Sequence, residues 1–170
     1  YLTIKNYPGE TPILQYGSRR LIVWADYVHV EGLHFQMPYV IDIAGTALEV
    51  VNNTFTGVQP KYAAIQCGGR NILIEGNVIQ LQPGGNTQDH GIYCKDGNGF
   101  TIRNNVVQGH YGYGIHIYHE HKSWTPTEPL YMLNYLIEGN VVSGSRQRAG
   151  SIIACFLSPN IRPRSKICHG

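Results

Sequence analysis

The chain has 170 residues, enough for one domain with a substantial core. An apolar fraction of 42% with a net charge of +2 excludes an intrinsically disordered chain. There is no basic run to mark a nucleic-acid binder, and no apolar stretch approaches the roughly 18 residues of a membrane span. Glycine occurs 20 times, where average usage gives about 12. Charged residues make up only 14%. Ile and Val together number 30, Leu and Ala only 18, a balance that favours strands over helices.

Tyr1-Leu-Thr-Ile-Lys5 already has strand character, as expected for the mature product of a secreted precursor or a piece of a larger protein. From there one unit recurs: a few strand residues, a Gly/Asn pair, then a second strand. A degenerate copy lies at Thr3–Tyr7. Fuller copies are Val28–Phe35, Leu48–Phe55, Ile72–Ile79, Phe100–Val107 and Tyr135–Val142. With Leu33, Asn53, Asn77, Asn105 and Asn140 taken as equivalent, the steps are 20, 24, 28 and 35 residues. A second unit falls between the copies: Val40–Ile43, Ala64–Cys67, Gly91–Cys94, Gly114–Ile117 and a region near Ser151–Ala154. Each period thus holds three short strands and three turns.

Units of this length cannot bury their apolar residues alone, but stacked they form continuous inner columns, so the repeat predicts a parallel β-solenoid. Alternation places Ile72, Ile74 and Ile102 inside and Leu73, Glu75 and Arg103 outside. One residue of the Gly/Asn pair is expected at positive φ, and stacked asparagines can bond from coil to coil. An antiparallel sandwich would need no common register between its turns, which five copies of one register oppose.

The Ile-Glu-Gly-Asn-Val-Ile unit and its Asn-Asn variants resemble the parallel β-helix repeat of the pectate-lyase-like superfamily. His90–Tyr93, Ile102–Val107 and Gly112–Tyr118 are similar to the bacterial right-handed β-helix-region proteins. The resemblance implies an all-β right-handed parallel β-helix of about six coils and three short parallel sheets. It covers residues 1–155 and leaves 156–170 as an irregular tail or cap, with the domain open to being part of a longer solenoid. The superfamily spans lyases, epimerases, hydrolases and tailspikes, so fold does not select an activity.

The resemblance also implies a groove along one parallel sheet, and the second unit is the candidate. If Ile41, Ile65, Ile92 and Ile115 point inward, Asp42, Gln66, Tyr93 and His116 form an outward ladder. Lys95 and Tyr118 lie two positions further on. Loops add His90 and Asp89 before the Tyr93 strand and Asp96 after it. His119, Glu120 and Trp124 stand in the longest insertion. Attack on a uronic-acid polymer by β-elimination or epimerisation needs a base, an acid and a group that neutralises the substrate carboxylate. His116 or Lys95 is the expected base, Tyr93 or Tyr118 the acid, and Arg103 or Lys95 the neutraliser. His90, Asp42, Gln66, Arg103, His119 and Trp124 are expected substrate contacts. Asp89, Asp96 and Glu120 are candidate ligands for Ca2+, although no acidic triplet falls on one strand.

Plainer roles stand beside these. His116 can simply stack on Tyr93, Lys95 can be a solvated turn residue, and His90 can position a turn. Glu75 and Glu138 fit an exposed ladder. Cys67 and Cys94 share an inward position one coil apart, either as a buried thiol column or as a disulfide. The expectation is a secreted or periplasmic protein acting on an acidic polysaccharide. The alternatives are a non-catalytic carbohydrate-binding solenoid and a tailspike-like structural one.

Overall fold

The computed structural model describes residues 1–15, 20–36, 40–58, 63–81, 87–118 and 134–144. Their strands, in chain order, begin with β1 (Leu2–Lys5), β2 (Ile13–Leu14), β3 (Arg20–Trp24), β4 (Val28–Glu31) and β5 (His34–Gln36). Next come β6 (Val40–Val51), β7 (Thr54–Val58), β8 (Ala63–Glu75), β9 (Val78–Leu81) and β10 (His90–Arg103). The last are β11 (Val106–Gln108), β12 (Ile115–Tyr118), β13 (Leu136–Glu138) and β14 (Val141–Ser143).

Every pairing between these strands is parallel, and each strand bonds to its counterpart one coil away. The architecture is an all-β parallel solenoid. About four turns separate β1 from the far end of β10, and a further turn leads to β13. One sheet follows the order β14-β11-β9-β7-β5-β2. The other runs β1-β4-β6-β8-β10-β12, with β3 beside β6 and β13 beside β10.

The three separate sheets expected from the sequence are therefore two. β6, β8 and β10 run on through a corner, with a register shift in β10 between Cys94 and Gly97, and supply two arms of the same sheet. The reason lies in glycine. Gly45 and Gly69 pair across the corner, as do Gly69 and Gly97. A Cβ on Gly69 would lie 2.0 Å from the Gly45 oxygen, and one on Gly97 would lie 2.1 Å from the Gly69 oxygen. With no side chains in this column, the backbones approach closely enough for the ladder to continue.

Inside, the register makes columns. Ile41, Ile65, Ile92 and Ile115 align in the first arm, and Val30, Val50, Ile74 and Ile102 in the second. All eight are at most 1% exposed, so the inward set matches the sequence expectation. Phe35 and Phe55 stack at 4.6 Å with ring planes 7° apart under the other sheet. The turn asparagines form a buried ladder. Asn77 donates Nδ2 to the Val50 carbonyl (2.8 Å) and to Asn105 Oδ1 (2.9 Å), while its own Oδ1 accepts the Asn53 backbone N–H at 2.9 Å. Asn53 and Asn105 repeat the pattern, and Leu33 and Asn140 stand at its two ends. The expected end of the solenoid at residue 155 and the tail 156–170 lie outside the described residues.

Candidate functional site

The first arm presents the expected outward ladder. Register joins Ile22 to Asp42, Asp42 to Gln66, Gln66 to Tyr93 and Tyr93 to His116. Lys95 aligns with Tyr118 two residues on. Asp42 is 7% exposed and receives Arg20 Nη1 at 2.7 Å. Burial raises its carboxyl above the usual range, opposed by Arg20, a Trp24 hydrogen bond and Lys95.

His90 joins this ladder from its edge. By backbone register it faces Ala63, yet its Nε2 lies 3.0 Å from His116 Nδ1 on the next coil. Its Nδ1 accepts the Tyr113 backbone N–H at 2.9 Å. Space for the ring comes from Gly112, where a Cβ would sit 2.6 Å from His90 Nδ1. Aromatic rings enclose the pair. Tyr113 stacks on His90 at 5.7 Å and 17°, and Tyr93 and Tyr118 lie 5.1 and 5.7 Å from His116.

The hydrogen bonds fix where the protons are. A backbone N–H can only donate, so His90 Nδ1 carries a lone pair and its proton resides on Nε2. That proton is donated to His116 Nδ1, which leaves the His116 proton on its own Nε2. His116 Nε2 is itself buried, so the neutral pair is an internal series, and protonating either ring further breaks a link in it.

Of the sequence candidates, the structure brings together His90, Tyr93, His116 and Tyr118, with Gln66, Asp42 and Lys95 along the same face. Arg103 is elsewhere. It stands in the second arm, beyond the glycine corner, where its Nη2 and Nε meet Glu75 Oε2 and Oε1 at 2.9 and 2.8 Å. This hydrogen bond and charge hold the Glu75 carboxyl below its usual range. Glu138 follows in register, so the expected exposed carboxylate ladder exists with Arg103 in its middle. His119, Glu120 and Trp124 lie outside the described residues. Asp89 is 5% exposed beside the His90 strand, and Asp96 occupies a positive-φ corner. Among the described residues no three His, Cys, Asp or Glu side chains gather as a metal site, and Glu120, the third of the expected ligands, lies outside them.

Two features escaped the sequence reading. Tyr113 contributes both its backbone N–H and its ring; the Tyr-Gly-Tyr-Gly run at 111–114 was its signal. The second is a depression lined by Tyr1, Thr3, Lys5, His29, Glu31 and Glu49 on the second arm. There His29 Nδ1 meets Glu49 Oε2 at 2.6 Å and Nε2 meets Glu31 Oε2 at 3.2 Å. Partial burial disfavours the imidazolium, but the Glu49 and Glu31 carboxylates prevail and raise the His29 pKa. The alignment of Thr3, His29 and Glu49 was readable once the outward positions were placed in register.

Stacked register, asparagine ladder and outward imidazole pair together define a parallel β-solenoid whose polar groups line one outer face. Residues 28–126, more than half of the chain, match the NosD family, described as periplasmic copper-binding protein, and the chain belongs to that family. No curated protein and no solved structure matches it. The family is periplasmic, in agreement with the expected secreted or periplasmic location. No helix of the described residues is long and apolar enough to cross a membrane.

Proposed function

We propose that this protein binds an acidic polysaccharide along the outward ladder of the first arm, in the periplasm. The observation that supports this most is the His90–His116 pair, bonded in series from the Tyr113 N–H and flanked by three tyrosine rings. Tyrosine faces suit the apolar faces of sugar rings. Lys95 and Arg20 border Asp42 on the same face, a balance that favours a polyanion. Successive coils present one outward residue each at steps of about 4.8 Å, so a polymer lying along the ladder meets Asp42, Gln66, Tyr93 and His116 in turn.

Recognition fits this geometry better than bond cleavage. β-Elimination or epimerisation needs a base with an available lone pair. In the neutral pair the His116 lone pair is taken by His90, and Arg103 is engaged by Glu75 away from the ladder. Copper enters through the family description, and the described residues do not compose a site for it. His90 Nε2 and His116 Nδ1 aim at each other across 3.0 Å, whereas an ion held on the line between two imidazoles needs about 4 Å.

Affinity electrophoresis through alginate, pectate, chondroitin sulfate and a neutral glucan tests the reading. Retardation by at least one uronate polymer, and none by the glucan, is expected. Tyr93→Ala and His116→Ala should each weaken retention about tenfold, the worth of one polar or ring contact. Ultraviolet absorbance of an unsaturated product would replace binding with lysis. Absence of retention on every uronate polymer would overturn the proposal.

A further inference from the structure

The inward column beside the ladder runs Ile43, Cys67, Cys94, Ile117. Two thiols thus replace two branched chains at consecutive levels of an otherwise aliphatic stack. Cys67 and Cys94 are paired in register on β8 and β10 and are 1% and 0% exposed. Their Sγ atoms lie 2.8 Å apart. Both are free thiols in the structure, with the Cys67 Sγ–H directed at the Cys94 Sγ. Neighbouring parallel strands lie about 4.8 Å apart, within the Cα separations of about 4.4–6.8 Å that a disulfide spans. The family is periplasmic, and the periplasm is an oxidising compartment.

We infer that Cys67 and Cys94 form a disulfide that joins two consecutive coils through the core. The thiolate of one cysteine attacks the disulfide of a protein oxidant and forms a mixed disulfide. The second thiolate then attacks the cysteine sulfur of that bond and releases the oxidant as a dithiol. The two cysteines lose two protons and two electrons, and the oxidant's disulfide gains them. The exchange belongs to the incompletely stacked chain, because burial pushes the Cys67 thiol up in the finished core.

The crosslink has a consequence at the surface. Gln66 and Tyr93 precede the two cysteines and are themselves register partners on the outward ladder. Tying Cys67 to Cys94 fixes the spacing of these neighbours and closes the segment between them, which includes Asp89 and His90. The inference rests on register, burial and compartment, and is independent of what the ladder binds.

Thiol mapping of the full chain exported to a bacterial periplasm is the test. The protein is denatured and alkylated with iodoacetamide, then reduced and labelled with N-ethylmaleimide, and its peptides are mass-mapped. Cys67 and Cys94 should carry only the second label, and an unreduced digest should contain a peptide linking them. Carriage of the first label on both, or linkage of either to Cys155 or Cys168, would overturn the inference. Thermal melting adds a second readout. Reductant should lower the Tm of the wild type and leave that of the C67A/C94A variant unchanged. An equal fall in both would also overturn it, and if the variant does not fold the peptide map decides alone.

Discussion

At the level of single residues, the buried turn asparagines do what apolar residues cannot. Asn77 is 0% exposed, and its amide serves backbone and side-chain groups of the coils on either side. Asn77→Ala would strip partners from the Asn53 N–H and the Val50 carbonyl. With about 1–3 kcal/mol for each buried group left unsatisfied, a loss of about 3 kcal/mol is expected, read as a lower urea midpoint. His29 carries a different signature. Its folded pKa is raised by Glu49 and Glu31, against the burial that would lower it. Its stabilisation is therefore fully present below the unfolded value of about 6.5 and is lost as pH rises through the folded value. The wild-type Tm should fall across that window, and His29→Gln should flatten this part of the profile. A variant with an unchanged slope would remove His29 as its source. The asparagines were legible in the sequence because they recur in one register. The pairing of His90 with His116 was not, because His90 faces Ala63 by register and reaches the next coil through space left by Gly112.

The strand-corner-strand element shows why glycine and asparagine alternate. At the corner after the second arm, Asn52 and Asn104 have φ of 54° and 56°, while Gly32, Gly76 and Gly139 have 68°, 66° and 62°. The coils read Asn6, Gly32, Asn52, Gly76, Asn104, Gly139. The Oδ1 of each asparagine occupies the place where a Cβ on the next glycine would be, 2.3 Å away for Asn6 and Asn52 and 2.4 Å for Asn104. Glycine is thus needed twice over, for its backbone and for the side chain stacked upon it. Gly76→Ala should cost about 2 kcal/mol or more, from left-handed backbone and overpacking together. Chemical denaturation checks it, and in an Asn52→Ala background, which carries its own left-handed cost, Gly76→Ala should cost less by the overpacking part. The sequence predicts positive φ at this pair but does not reveal the alternation, which depends on stacking between coils. It also divides β6, β8 and β10 at their inner corner. Ala47, Asn71 and Gly99 have positive φ there like turn residues, although the hydrogen-bond ladder resumes past them.

For the molecule as a whole, a solenoid has no single centre. Each coil is held by its two neighbours, so local stability follows how completely a coil is covered. Coverage is uneven along the axis. In the middle, Val50, Ile74, Ile92 and Ile102 are completely buried, and Asn53, Asn77 and Asn105 bind their backbone amides to the next asparagine. At the extremes of the described coils, Leu2 is 64% exposed, Leu136 44% and Val141 56%. The same gradient explains where sequence reading succeeds: inward columns repeat most regularly where each level has a level above and below it. It also sets an expectation for dynamics. Opening a central coil requires parting two interfaces at once, whereas β1 and β14 each pair with one neighbour among the described strands. Hydrogen exchange followed by mass spectrometry should show the slowest amides at Asn53, Asn77 and Asn105. The fastest strand amides should lie in Leu2–Lys5 and Val141–Ser143, with rates graded between these limits. Uniform protection along the chain would instead mean that the coils open as one cooperative unit, and the nearest-neighbour account of this solenoid would fail.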